Sequence, residues 1–265
     1  VIGTLVVVVG AALAYLRSNP ELQQQLGIDL SVLGTAEPAL TETQVANAPS
    51  TGGSEASNNG LPDVSFKQER KEITFNECPP QGDGGDPELN LRKNRVDDGN
   101  WQPTAFSAMM SLTWPQEIER KDHDTWSQAD AQAIDQYEGL PVQVEGYLLD
   151  AVKSGPESTN CHSETDTDHH VWMLDQPGGH DDRAGSLVIE TTPRVAANHP
   201  NWETKNLTYL ARNSIKVRIS GWTFFDPEHP DQIGKTRGTI WEIHPVMKIE
   251  AWIDNAWVNI DDMNF

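Results

Sequence analysis

The chain has 265 residues, 19 Lys and Arg against 40 Asp and Glu, and a formal net charge of −21. A polyanion would meet a repelling field, so a nucleic-acid partner is not expected, whereas the acidity suits a salty or extracytoplasmic setting. Two cysteines, Cys78 and Cys161, exclude a disulfide-dense scaffold and any paired-Cys metal module. They leave two states open: two buried thiols, or one bridge tying the N-terminal region to the following sheet, worth about 4 kcal/mol of chain entropy.

In chain order, Val1 to Leu16 is almost wholly apolar and is followed by Arg17. It falls a little short of the ~20 residues of a membrane span. Segment 1–17 is expected to be a membrane anchor, with a signal-like segment and a buried helix as alternatives. Segment 18–60 is rich in Ala, Ser, Thr, Gly and Asn and reads as a flexible linker. The expected arrangement is a membrane-tethered domain outside the cytoplasm, in the periplasm or cell envelope.

Segment 61–139 is expected to be a helical and irregular accessory region. Val64 to Phe75 offers one strand. Gly82, Gly84 and Gly85 mark a tight turn. Asp86-Pro87-Glu88 then starts a helix running to about Asn94. Asp83, Asp86 and Glu88 also suggest a Ca²⁺ site, but the ligand spacing of a calcium loop is missing, and capping is the stronger reading. Ser127 and Asp130 resemble a capping box ahead of a helix that ends at Glu138-Gly139.

From Pro141 the rhythm becomes short strands: 142–152, 168–174, 186–192, then a helix from about Trp202 to Arg212, then 215–225 and 237–249. In the second strand Asp168, His170, Trp172 and Leu174 alternate with His169, Val171 and Met173. Pro245 is expected at an edge or bulge. Three strands, a helix and two strands is the order of an OB-like five-stranded Greek-key barrel. The fold class is therefore mainly β with helical additions (α+β), with the barrel at 140–253, a C-terminal hairpin or tail at 254–265, and an apolar helix at the N-terminus.

The segments Gly82–Asn90 (GDGGDPELN), Glu145–Leu148 (EGYL), Glu157–His162 (ESTNCH), Glu190–Arg194 (ETTPR), Asp226–Pro230 (DPEHP) and Arg237–Pro245 (RGTIWEIHP) resemble an uncharacterised bacterial family of OB-like proteins. The resemblance spans roughly Phe75 to Trp252. It implies the fold and carries no activity, and hence no catalytic residues, with it.

Chemistry-bearing candidates are Cys161, His162, Asp168, His170, Glu190, Arg194, His229, Arg237, Glu242 and His244. Glu242 and His244 share a face of the fifth strand. If they meet His170 at the open end of the barrel, two imidazoles and a carboxylate could hold Zn or Mn with an open position or perform acid–base work. His162 or Asp168 would supply a third metal ligand, and Arg237 would stabilise developing charge. Glu190 and Arg194 are expected in a network with Arg237 or Glu242, or as ligand contacts beside a stacking surface of Trp172 and Trp222. The alternative for each histidine is a hydrogen bond within the fold.

Three functions fit: a tethered OB-like binding module for a small ligand, glycan or protein; a metal-dependent, nuclease-like hydrolase; or a structural part of an envelope assembly. No nucleophile elbow, phosphate loop or dinucleotide glycine pattern is present.

Overall fold

The computed structural model describes residues Gly60–Phe265. The anchor expected at 1–17 and all but the last residue of the linker expected at 18–60 lie outside them. Among the described residues, no helix is long and apolar enough to cross a membrane.

Seven strands form one sheet: β1 (Gln102–Thr104), β2 (Pro141–Lys153), β3 (His169–Leu174), β4 (Leu187–Thr191), β5 (Lys216–Phe225), β6 (Trp241–Ile253) and β7 (Ala256–Asn259). Five of them close into a barrel in the order β2-β3-β4-β6-β5 and back to β2. The pairings within this ring are antiparallel except β4 with β6, which run parallel. The fold is a closed β-barrel with extra strands and helices, the α+β class expected.

Alternation sets what fills the barrel. Val171, Met173, Leu187, Ile189, Val217, Ile219 and Ile243 all belong to one buried core. The residues between them, among them His170, Glu190, Glu242 and His244, therefore point to the outer face of β3, β4 and β6. Gly146 lets β2 coil past its neighbour, because a Cβ there would lie 2.3 Å from the Leu174 carbonyl oxygen. Pro245 sits where the β5–β6 register slips around Gly221, the bulge expected of a proline inside a strand. The fifth barrel strand begins at Trp241, not at Arg237, because the Arg237 amide turns back to Gln232 and Gly238 bonds to Ser186. β6 and β7 form a hairpin whose turn residues, Asp254 and Asn255, both have positive φ.

Among the described residues five α-helices accompany the strands: α1 (Pro87–Lys93), α2 (Phe106–Met110), α3 (Gln128–Asp135), α4 (Pro193–Ala196) and α5 (Thr204–Arg212). Helix α5, between β4 and β5, buries Leu207 and Leu210 in the barrel core and packs on β2. A second core of Ile118, Ile134, Phe225, Ile240 and Trp241 takes Trp114, Trp126 and Tyr137 against it, so the aromatics of this region pack rather than form a ligand platform.

The strand expected over Val64 to Phe75 is not formed. Residues Val64–Phe66 make a 3-10 turn, and only single bridges join Glu72 to Arg95 and Phe75 to Cys78. The charged run Lys67-Gln-Glu-Arg-Lys71 offers no alternating apolar face, and Val64 stays 54 % exposed. Cys78 and Cys161 form a disulfide that joins this accessory segment to the β2–β3 loop.

Candidate functional site

On the outer face of β3, β4 and β6 lies a cavity of about 720 Å³. Three segments wall it. The β2–β3 loop gives Ser154, Gly155, Glu157, Ser158 and Thr159. The β5–β6 loop gives Asp226, Glu228, His229, Gln232, Thr236 and Arg237. The α1 segment gives Asp86, Leu89, Asn90 and Lys93. The strands contribute His170, Trp172, Glu190 and Glu242.

Each segment is held in place by its own local chemistry. Asp86 caps α1, accepting from the Glu88 amide at 2.9 Å, and its other oxygen takes the His123 amide at 2.8 Å. This is the capping role expected of it. Asn90 donates to the carbonyls of Gln81 and Gly84 and accepts from the Thr159 hydroxyl at 2.7 Å, which stitches the glycine turn to the β2–β3 loop. Gly82 and Gly85 have positive φ, and a side chain on either would strike Ser158.

The cavity wall is a web of buried charges. Arg237 donates to Asp226 at 2.8 Å and to Glu242 at 2.7 Å, all three with side chains 3 % exposed. His229 Nδ1 lies 2.8 Å from the same Asp226 oxygen, Oδ2, that Arg237 contacts. Lys93 Nζ lies between Glu157 at 3.9 Å and Glu228 at 3.8 Å. Burial alone would lower the Lys93 ammonium, but Glu157, Glu190, Glu228 and Asp226 hold it charged well above its ordinary range. Six carboxylates line the cavity against Lys93, Arg120 and Arg237, and Arg120 is already paired with Asp231. The wall keeps an excess of negative charge, and the Glu157 carboxyl is pushed up to about 7 by burial, with Asp168 and Glu190 adding to the effect.

Beneath the wall, His170 Nδ1 meets Glu190 Oε1 at 2.5 Å. His244, fully buried, lies 3.4 Å from Glu190 Oε2 and 3.5 Å from Glu242 Oε2 through Nδ1, and 3.7 Å from Asp168 Oδ2 through Nε2. One ligand atom each from Asp168, Glu190 and His244 lies within 4.8 Å of the others. Neither nitrogen of His244 nor Oδ2 of Asp168 has a hydrogen-bond partner among the described residues. Burial pulls His244 down, but the neighbouring carboxylates of Glu242, Glu190 and Asp168 prevail, and its pKa is raised. Burial raises Asp168, and Glu190 adds to that. Burial pushes Glu190 up, but His170, His244 and Lys93 bring it well below the usual carboxylate range. A buried carboxylate pair and an imidazole with unsatisfied ligand atoms can hold a divalent cation.

The expected residues divide accordingly. Asp168, His170, Glu190, Arg237, Glu242 and His244 come together, but on the barrel's outer face and not in its open end, since strand alternation sends their apolar neighbours inward. His162 does not join them. Its Nε2 bonds to the Asp83 carbonyl at 3.0 Å, and its positive φ turns it away with the loop. Arg194 does not pair with Arg237 or Glu242 and does not line the cavity. It donates to Asn94, Asn160 and the carbonyls of Cys78 and Pro79. Trp222 offers no stacking surface: it is fully buried between Trp101 and the Arg95 guanidinium. Trp172 does line the cavity, with the Arg183 guanidinium 3.7 Å above its ring.

Lys93, Glu157 and Asp226 were not singled out as site residues. For Glu157 and Asp226 the signal was their place in the loops after the first and fourth barrel strands. Lys93 gave no such signal, because a lysine near a helix end reads as a solvated charge.

Compared with known proteins, the chain matches no family model, no curated protein and no solved structure.

Proposed function

We propose that the described domain is an OB-like binding module that takes a small polar ligand in the cavity outside β3, β4 and β6. The strand order, the parallel β4–β6 pair and the helix between β4 and β5 support the OB-like Greek-key assignment. The observation that carries the reading is the meeting of both barrel loops and the strand face around one cavity of about 720 Å³, within the ordinary size of a small-molecule site. The acidic wall disfavours phosphates and favours neutral hydroxylated or cationic ligands, in keeping with the sugar-binding use of OB faces. Thermal-shift and NMR titration against a panel of oligosaccharides, alkylamines and oligonucleotides tests this. Saturable binding of a sugar or amine, lost in Trp172→Ala, supports it. Preference for the oligonucleotide overturns it. An apolar N-terminal segment in the sequence and a disulfide in the domain support a tethered, extracytoplasmic setting.

A second reading has its own observation. The unsatisfied atoms of Asp168 and His244, gathered with Glu190, favour a Zn or Mn centre and with it a hydrolase. The cation would polarise a substrate or a water, and His170, held through Nδ1 by Glu190, would move a proton through Nε2. Elemental analysis of the purified chain should then find one Zn or Mn per molecule, lost in the His170→Ala, His244→Ala double variant. Absence of metal after exposure to both ions, with binding of the organic panel intact, retires the hydrolase and leaves the module.

A further inference from the structure

Arg194 is a buried guanidinium without an acid. It is 2 % exposed, and it donates to neutral oxygens: the carbonyls of Ile73, Cys78, Pro79 and Thr159 and the side-chain oxygens of Asn94 and Asn160. No carboxylate among the described residues forms an ion pair with it. Isolated buried charge is costly, so such a group is expected to compensate an opposite charge close by. The path runs through Asn160. Arg194 Nη1 donates to Asn160 Oδ1 at 2.9 Å, and Asn160 Nδ2 donates to Asp168 Oδ1 at 2.8 Å. A carboxamide polarised at its oxygen by a cation is a stronger donor at its nitrogen. That bond occupies Oδ1 of Asp168 and leaves Oδ2 toward His244 without a partner. Asn160 is in turn pinned from its own chain, since Cys161 follows it in the disulfide to Cys78.

Resting on the metal reading above, we propose that Asn160 is the positioning residue of the Asp168–Glu190–His244 centre, relaying the charge of Arg194 to Asp168 and presenting its free oxygen to a divalent cation. Outer partners of this kind commonly set metal affinity 10- to 100-fold. The test uses the full chain with Co²⁺ alone as probe, read by its visible ligand-field bands and by titration. Wild type is expected to bind one Co²⁺ and Asp168→Asn none. Asn160→Ala is expected to bind about 10- to 100-fold more weakly with an altered band pattern. Ser163→Ala removes bonds to the Thr165 and Asp166 amides of the same loop, away from the cavity and the relay, and should leave both readouts unchanged. Arg194→Lys keeps a cation but gives up the fork, and should fall between wild type and Asn160→Ala. It carries the test should Asn160→Ala not fold.

Co²⁺ binding by Asn160→Ala, or by Arg194→Lys in its place, that is indistinguishable from wild type overturns the relay and spares the metal centre. Equal weakening by Ser163→Ala also overturns the relay, because loosening of the loop then accounts for the loss. A wild-type chain that takes no Co²⁺ overturns relay and centre together.

Discussion

Glu157 shows how one side chain can report the charge of a whole wall. Burial raises its carboxyl to about 7, Asp168 and Glu190 add to this, and Lys93 opposes it. The folded chain thus holds this proton to higher pH than the unfolded chain does. The associated stability is fully present below the unfolded value and is lost as pH rises through about 7. Glu157→Gln keeps a neutral group there at every pH. Its melting temperature relative to wild type is expected to rise between about pH 5 and about pH 8, as measured by thermal unfolding at both values. A relative fall would show that the carboxylate, and not the acid, is the form the fold prefers. Arg237 has the opposite character. It bonds to both Asp226 and Glu242 from a site 3 % exposed. Arg237→Ala strands two buried carboxylates and should lower the unfolding free energy by about 3–5 kcal/mol in urea titrations.

At the level of elements, the barrel strands were readable because their information is local. Val171 and Met173 alternate with His170 and Trp172, and Ile243 alternates with Glu242 and His244, so one glance at the pattern separates inside from outside. The same alternation puts Glu242 and His244 on one face of their strand and leaves open whether His170 points the same way. It could not say that this face lies outside the barrel, since inside and outside depend on closure. The positions of Asn160 and Asp226 depend on loop conformation, which has no period to read. Arg194 was misassigned for a related reason: it lies four residues beyond Glu190, but α4 begins at Pro193 and carries it to the disulfide side. Gly146 tests the coiling of β2. The site for a Cβ lies 2.3 Å from a backbone oxygen and 3.1 Å from Met173, so relief requires the strands to part. Gly146→Ala should cost about 1–3 kcal/mol by overpacking, and its unfolding free energy measures this.

For the molecule as a whole, the Cys78–Cys161 bridge spans 83 residues and joins the accessory segment to the β2–β3 loop. Removing it with a Cys78→Ser, Cys161→Ser double variant should reduce stability by about 2–5 kcal/mol. Because Asn160 neighbours the bridge, the variant should also bind the cavity's ligand more weakly than its stability loss alone explains. Comparing ligand titrations well below the melting temperature separates the two effects.

The parallel contact of β4 with β6 carries a last consequence. Glu190 and His244 are distant in sequence and meet only through that pairing. A growing polypeptide that has not yet emerged past Arg237 has His170 for Glu190 and His229 for Asp226 but lacks the Arg237 guanidinium and the His244 imidazole. Burying those acids before the last barrel strand arrives leaves part of their charge unanswered, which penalises premature collapse.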